Sequence, residues 1–290
     1  MAYQIITDSS ANLPNRLIEE YNLKVLSFDY FADDIRYDTF RPDDDEAWIK
    51  EFYVQLRSKK KITTSCLNAE AISSMLKESL DKGLDVIYFV FSSGLSQTYQ
   101  IAEAVGDELK KEYSDRKIYV VDTLSPSFGQ GLLVDYACRQ QRDGWTIEQV
   151  YEWHIENRLK MCHWFTVDDL FFLKRGGRIS ATTAIAGTVL GIKPVLHVDN
   201  EGRLVNVDKV RGRKQALTAL VDRMEKTAIE PEKQRVFIAH GDCLEDCQFV
   251  EKLVRERLGV KDIEITYINP VIGAHSGPGT VALFFLGTER

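Results

Sequence analysis

Short apolar runs alternate with amphipathic segments through the first half of the chain. Four runs rich in β-branched and aromatic residues predict strands: YQIITD, KVLSFDYF, DVIYFVFS and KIYVVDT. The segments between them predict helices because their apolar residues recur every three or four positions: DDEAWIKEFYVQLRSK, NAEAISSMLKESLDKG, SQTYQIAEAVGDELKKEY and PSFGQGLLVDYACRQQ. This alternation predicts an α/β fold with a mostly parallel sheet covered on both faces.

The second half of the chain has a different pattern. Residues 193–210 contain two apolar runs separated by Asn200, Glu201 and Gly202, which predicts a β-hairpin. A helix is predicted from about Gly212 to Thr227, then the strand RVFIAHGD, a further helix, and the strands IEITYINP and TVALFFLG. We therefore predict two domains: residues 1–160 form the parallel α/β domain, and residues 161–290 form an α+β domain with a mixed or antiparallel sheet.

Polar residues follow the predicted strands of the first half. They are Asp8, Ser9 and Ser10; Thr63, Thr64 and Ser65; Ser92, Ser93 and Gly94; and Asp122 and Thr123. Because the carboxyl ends of parallel strands lie along one edge of a sheet, these groups are expected to converge on a ligand crevice. Each is also a plausible helix N-cap, although one cap needs only one side chain.

Two glycine-containing segments of the second half carry further polar groups. Residues 271–280, VIGAHSGPGT, are predicted to form a turn that displays His275 between Gly273 and Gly277. Residues 171–180 place Lys174, Arg175 and Arg178 around a glycine pair. That basic loop is either a solvated turn or a site for an anion or a protein partner.

Composition narrows the class of function. The net charge of -7 argues against a nucleic-acid-binding protein. No apolar window has the length of a membrane span, and the first residues do not resemble a signal peptide, so a cytoplasmic location without stable membrane insertion is expected. Five scattered cysteines predict reduced thiols rather than a disulfide framework.

Known catalytic and metal-binding patterns are weak or missing in the sequence. There is no phosphate-binding G-x-x-x-x-G-K-[ST] motif and no G-x-S-x-G nucleophile elbow. His240, Cys243 and Cys247 have a spacing that zinc ligands can adopt, but a buried helix face is the preferred interpretation. The acidic run at residues 43–46 is interpreted as a helix start rather than a metal site.

Six motifs occur in the order found in one family: TDSSANLP, TTS, SSGLSQTYQ, LKRGGRIS, GIKPVL and GAHSGPG. Together they resemble the DegV family of bacterial fatty-acid-binding proteins over essentially the whole chain. The resemblance implies a long-chain fatty acid between the two domains, with its carboxylate held by Thr64, Ser93 and His275. It further implies that the catalytic subunit of a fatty acid kinase phosphorylates the bound acid, with no cofactor on the carrier, and that the acyl phosphate then enters phospholipid synthesis.

The sequence departs from the family pattern at two positions beside these motifs. Cys66 and Leu67 stand where the family often has glutamine and proline, and Gln97 replaces a small residue. Neither departure changes the three predicted carboxylate ligands. Candidate walls for the acyl chain are Phe165, Leu170–Leu173 and the apolar segment Ala184–Ile192, each of which could equally be plain core.

Two other functions remain open from the sequence. The chain could be a serine esterase or thioesterase for acyl substrates, with Ser93 or Ser10 as nucleophile and His275 as base. Alternatively, it could be an interaction module in which Lys174, Arg175 and Arg178 form a docking patch for a partner, which is compatible with lipid carriage.

Overall fold

The fold is built from three sheets and the helices that cover them. The structure is a computed structural model that describes residues 2–41, 47–58, 60–180 and 191–290. In chain order its strands are β1 Tyr3–Asp8, β2 Lys24–Leu26, β3 Asp29–Ala32, β4 Ile35–Asp38, β5 Ile62–Thr64, β6 Asp85–Val90, β7 Ile118–Asp122, β8 Met161–Thr166, β9 Ile192–Val198, β10 Leu204–Arg211, β11 Arg235–His240, β12 Asp262–Tyr267 and β13 Val281–Leu286. Its helices are α1 Asn15–Glu20, α2 Ala47–Arg57, α3 Ala69–Leu80, α4 Thr98–Glu112, α5 Phe128–Arg142, α6 Ile147–Asn157, α7 Phe171–Arg175, α8 Arg213–Thr227, α9 Leu244–Leu258 and α10 Pro270–Ser276.

The first sheet is parallel, in the order β2-β1-β6-β7. Every residue of β6 is buried, as expected for a central strand covered on both faces. One apolar cluster joins this sheet to α3 and α4, and a second joins it to α5 and α6. The α/β prediction for the first half of the chain is confirmed.

The second sheet is mixed, in the order β10-β9-β8-β13-β11-β12. The predicted hairpin is confirmed: β9 and β10 pair antiparallel, and Gly202 has the positive φ of +74° that favours glycine in the turn. Helices α8 and α9 cover one face of the sheet. Helix α5 packs against the other face as well as against the parallel sheet, so it links the two layers.

A third, antiparallel sheet in the order β4-β3-β5 corrects one prediction. The run KVLSFDYF is not one strand, because it divides into β2 of the parallel sheet and β3 of this small sheet. Serine side chains hydrogen-bond to backbone N–H groups around the break between β2 and β3. Ser9 Oγ accepts the Phe28 N–H at 2.9 Å, and Ser27 Oγ accepts the Thr39 N–H at 3.1 Å. These bonds take the place of strand pairing at the break.

The segment 271–280 is also not the turn that was predicted. Its first six residues continue helix α10, which begins at Pro270. Asn269 caps that helix by accepting the Val271 N–H at 3.1 Å, and proline suits the first helical position because its missing N–H is not needed there. Gly277, with a φ of +81°, ends the helix.

Three sequence-based expectations are not decided by this fold. The domain boundary near Lys160 stays a prediction, although the mixed sheet begins with Met161. The acidic run at 43–46 and the apolar residues 184–190 lie outside the described residues. Among the described helices, none combines the length and the apolar character needed to cross a bilayer.

Candidate functional site

A narrow cavity lies between the carboxyl edge of the parallel sheet and the α5-facing side of the mixed sheet. It encloses about 840 Å³ between protein atoms, including the part open to solvent, and most of that space is too narrow to admit a water molecule. Its wall is mainly apolar, with these members: Phe28, Phe91, Leu95, Pro126, Phe165, Leu173, Val198, Leu204, Ile268, Val271, Ile272, Ala282 and Phe284. The shape and lining suit a slender apolar ligand.

Thr64 and His275 meet at this cavity although they are 211 residues apart in the chain. Thr64 lies at the end of β5, and His275 lies in the last turn of α10. The Thr64 hydroxyl and His275 Nε2 are 2.8 Å apart, and both residues belong to the cavity wall. The structure therefore brings together two of the three residues that the family resemblance singled out.

The imidazole of His275 is neutral at ordinary pH. Burial, together with the positive charges of Arg178 and Arg175, lowers its pKa from 6.5 to about 3. When Nε2 carries the proton it donates to Thr64 Oγ1, which leaves the threonine hydroxyl hydrogen free to point at a ligand. The pair can thus present a hydrogen-bond donor to an anion without being charged itself.

Arg178 belongs to this cavity rather than to an outer patch. Its side chain is part of the wall, and one guanidinium nitrogen donates to the Leu95 carbonyl at 3.2 Å. Burial lowers the pKa of the guanidinium, which nevertheless stays protonated because arginine starts so high. Lys174 and Arg175, by contrast, are exposed. The basic loop is thus split between the cavity and the surface.

Glycines allow the close approach of the elements that hold His275. The Nδ1 edge of the ring lies against Gly176, where a Cβ would collide with it. On the other side of α10, a Cβ on Gly273 would lie 2.7 Å from the Tyr53 hydroxyl of α2. The glycines of two separate motifs therefore fix the position of one histidine.

Ser93 is not among the described residues that line the cavity. Its backbone N–H donates to Asp122 at 3.1 Å, and it is half-buried beside the wall residues Leu95 and Ser96. Its neighbour Ser92 is buried and donates to the Gly202 carbonyl at 2.8 Å, while Gly94 packs against the same turn. This loop ties the parallel sheet to the β9–β10 hairpin, and the ligand role of Ser93 stays a prediction.

The polar residues after β1 form an internal network. Asp8 accepts the Phe91 N–H at 3.1 Å and the hydroxyl of Ser10, which also bonds the Gln130 side chain at 2.7 Å. Burial raises the pKa of Asp8 to about 6 despite these bonds. The hydroxyl of Ser9 lies 2.6 Å from that of Thr39. These residues support the loops of the cavity without lining it in the described part of the chain.

Ser65, which the sequence analysis expected at the ligand crevice, lines the cavity, whereas several other polar wall residues were missed. Cys66 follows Ser65, and its sulfur is 3.5 Å from the Ser96 hydroxyl. Ser276 follows His275, and Ser127 and His163 come from α5 and β8. Ser96 and Ser276 lie within motifs that the sequence analysis quoted, and Cys66 directly follows one, whereas no motif marked Ser127 and His163.

Only part of the predicted acyl-chain wall lines this cavity, and its contact with a chain stays a prediction. Phe165 and Leu173 line the cavity. Leu170 is buried in the core and Phe171 is 55% exposed, and neither is a described wall residue. The run Leu170–Leu173 contributes one side chain because it forms the short helix α7, whose residues point in different directions.

Neither Ser10 as nucleophile nor the zinc alternative gains support from these contacts. Ser10 is fully buried and bonded to Asp8 and Gln130, and no histidine is among its partners in the described residues. His240 Nδ1 accepts the backbone N–H of Cys243 at 3.2 Å. Cys247 is buried in the core of the mixed sheet, and the described residues contain no group of three side chains arranged to hold a metal.

Comparisons with known proteins agree on one family. The family described as uncharacterised proteins of the DegV family matches residues 2–288. A DegV domain-containing protein of Clostridium perfringens is 42% identical over 289 residues, which cover 99% of this chain and 98% of that protein.

Solved structures give the same result. A DegV lipid binding protein of Thermotoga maritima is 28% identical to this chain with a TM-score of 0.87, and the alignment covers 100% of both chains. A DegV family protein of Thermus thermophilus, described by its fatty acid binding, is 26% identical with a TM-score of 0.87, with 99% and 100% of the chains covered. The chain therefore belongs to the DegV family, as its motifs predict.

Proposed function

We propose that this protein binds one long-chain fatty acid in the cavity between its sheets, with the carboxylate at Thr64 and His275. The observation that carries the proposal is the Thr64–His275 pair, 2.8 Å apart, at a narrow apolar cavity. The fatty acid binding described for DegV relatives that share the fold supports the same ligand class. The proposed protein is a carrier rather than an enzyme, and it uses no cofactor or metal.

The head group is recognised by donors and one half-buried cation. A carboxylate moved out of water must have its lone pairs satisfied. Thr64 donates its hydroxyl hydrogen, Arg178 supplies positive charge, and Ser276 and Ser96 are further wall hydroxyls within the same motifs. Ser93 is a further proposed carboxylate ligand, which would contact the head group if its side chain turned toward the cavity.

The acyl chain supplies most of the affinity. Each buried methylene contributes about 0.8 kcal/mol, so a long chain contributes roughly 11 to 13 kcal/mol before ordering costs are subtracted. A neutral hydrogen bond contributes only about 1 kcal/mol. The polar residues therefore fix the position and identity of the head group, and aromatic side chains such as Phe165 and Phe284 set the fit of the chain.

The bound carboxylate is then presented to a separate kinase. In this proposal the catalytic subunit of a cytoplasmic fatty acid kinase docks on Lys174 and Arg175. Both are exposed at the end of α7, just before the turn that contains Arg178. The kinase forms the acyl phosphate while the carrier shields the chain from water. Neither nucleic acid nor stable membrane insertion has a role.

The test is the identity of the lipid that copurifies with the protein. Protein expressed in bacteria and purified without added lipid is extracted and analysed by mass spectrometry. We expect a long-chain fatty acid in near-stoichiometric amount. Well-folded protein that yields no fatty acid, and that takes up none when oleate is added, would refute the proposal.

A further inference from the structure

Asp122 joins two loops at the carboxyl edge of the parallel sheet. It is the last residue of β7 and is 7% exposed. One oxygen of its carboxylate, Oδ1, accepts the backbone N–H of Ser93 at 3.1 Å and that of Leu124 at 3.0 Å. Ser93 lies in the loop after β6 and Leu124 lies in the loop after β7, so one oxygen of a buried side chain connects the two loops.

The loop after β6 reaches the head-group end of the cavity. Its residues Leu95 and Ser96 line the wall. The Leu95 carbonyl accepts a hydrogen bond from Arg178 at 3.2 Å, and the Ser96 hydroxyl is 3.5 Å from the sulfur of Cys66, two residues after Thr64. These contacts place the loop beside the residues that are proposed to hold the carboxylate.

Ser93 combines a fixed backbone with an unbonded side chain. Its N–H is held by Asp122, and the preceding Ser92 is tied to the Gly202 carbonyl through its hydroxyl at 2.8 Å. The Ser93 hydroxyl has no hydrogen-bond partner among the described residues, and the residue is half-buried. Rotation about its Cα–Cβ bond therefore moves the hydroxyl without breaking a described hydrogen bond, while the backbone that carries it stays in place.

We propose that Asp122 is a positioning residue for the head-group site: it fixes the backbone of Ser93 so that, after rotation of the side chain, the serine hydroxyl donates to the bound carboxylate. The inference rests on the proposed fatty acid binding and gives Ser93 a route into that site. Asp122 itself does not touch the fatty acid. A carboxylate oxygen has lone pairs for both backbone N–H groups, and such charge-assisted hydrogen bonds are stronger than neutral ones.

The alternative role of Asp122 is a simple turn, in which an aspartate accepts the N–H of the residue two positions later. The bond to Ser93 goes beyond such a turn because it crosses to the neighbouring strand's loop. Asp8 makes a matching contact from the other side of β6, where it accepts the Phe91 N–H at 3.1 Å. The loop after β6 is thus held by an aspartate from each adjacent strand, at its first residue and at Ser93.

The experiment is a double-mutant cycle on the full chain, in which oleate affinity is measured for Asp122→Ala, for Ser93→Ala and for the two changes together. Asp122→Asn is added because asparagine keeps an acceptor oxygen. The matched control is Asp85→Ala. Asp85 begins β6, is 1% exposed, and accepts the Lys117 N–H at 2.9 Å, so it links the same two strands at their opposite, amino ends.

We expect Ser93→Ala to weaken oleate binding about ten- to 150-fold, the effect of losing one hydrogen bond to a charged group. Asp122→Ala should weaken it by at least about tenfold for the same reason. The double variant should bind within about twofold of Ser93→Ala, because both changes remove one contact. Asp122→Asn should bind within about threefold of the parent protein. Asp85→Ala should lose folding stability but keep the oleate affinity of the parent.

The outcomes also separate this inference from the proposed function. Losses that add up in the double variant, an asparagine variant as weak as the alanine variant, or an equal loss in Asp85→Ala would overturn the positioning role while oleate binding stands. If Asp122→Ala does not fold, Asp122→Glu replaces it in the cycle with the same expectations, because the longer side chain displaces the carboxylate. If the parent protein binds no oleate, the proposed function fails and the positioning role fails with it.

Discussion

Replacing Thr64 with valine tests the head-group site with the smallest change of shape. The substitution removes the hydroxyl that lies 2.8 Å from His275 Nε2 and substitutes a methyl group. In the proposed complex that hydroxyl donates to a carboxylate. A hydrogen bond to a charged group contributes about 1.5 to 3 kcal/mol. At about 1.4 kcal/mol per factor of ten, oleate should bind about ten- to 150-fold more weakly.

The neighbouring residue provides the matched control. Thr63 lies on the same strand but is exposed, because successive side chains of a strand point to opposite faces. Thr63→Val should leave oleate affinity within about twofold, since surface substitutions have small effects. Thr64→Val should also lower the free energy of unfolding by about 1 kcal/mol, because His275 loses its partner.

The assay is displacement of a fluorescent fatty acid by oleate and by methyl oleate. The ester keeps the chain but presents a neutral acceptor, so Thr64→Val should weaken its binding less than that of the acid. Equal losses for the acid and the ester would mean that the variant damages the cavity rather than the head-group site. An unchanged affinity for oleate would refute the placement of the carboxylate at Thr64.

Three further predictions concern the elements around this site. Gly176→Ala should weaken oleate binding at least about tenfold, because a Cβ at this position collides with the His275 ring. The control is Gly177→Ala, whose Cβ would meet no neighbouring atom within 4 Å. It should keep its oleate affinity and lose only about 1 kcal/mol of folding stability, because alanine is strained at a φ of +72°. The pKa of His275 is about 3 in the folded protein against 6.5 for the ordinary imidazole, so the unfolded state takes up the proton first as pH falls. The contribution of neutral His275 to stability is therefore complete above pH 6.5 and is lost as pH falls toward 3. In urea titrations between these pH values, the free energy of unfolding of His275→Gln should change with pH by about 1.4 kcal/mol per unit less than that of the parent protein. Charge reversal of Lys174 should slow acyl phosphate formation about tenfold and leave oleate affinity unchanged, because its side chain is exposed.

Each of these predictions has a clear contradictory result. For the glycines, an equal loss of oleate affinity in both alanine variants would mean that the loss does not come from displacing the His275 ring. For the pH dependence, parallel stability curves of variant and parent would show that His275 titrates normally. For docking, the control is charge reversal of Lys111 at the carboxyl end of α4, which should not slow the kinase. A similar loss in the control would point to net charge rather than a docking surface.

The sequence predicts the parts of the fold that have strong periodicity. Strands β1, β6 and β7 combine continuous apolar runs with helices on both sides, and their pattern leaves few alternatives. The hairpin of β9 and β10 follows from Asn200, Glu201 and Gly202. The small sheet of β3, β4 and β5 was not predicted because its strands have three or four residues, of which several are polar. Such segments become strands through tertiary pairing rather than local preference.

The candidate site shows the same limit at the level of single residues. Thr64 and His275 were identified through family motifs, and their contact across 211 residues could not be read from local spacing. Arg178 was predicted in a basic loop that could be a solvated turn, an anion site or a docking patch, and the turn after α7 places it in the cavity wall. Ser127 and His163 carry no motif, so only the meeting of α5 with the mixed sheet reveals them.

The most direct test of the account is a crystal structure of the protein with its copurified or added fatty acid. We predict carboxylate oxygens within hydrogen-bonding distance of Thr64 Oγ1, and an acyl chain that runs between the sheets along Phe165 and Phe284. Electron density for the acid elsewhere on the protein, or a chain whose methyl end rather than its carboxylate lies at Thr64 and His275, would contradict the account.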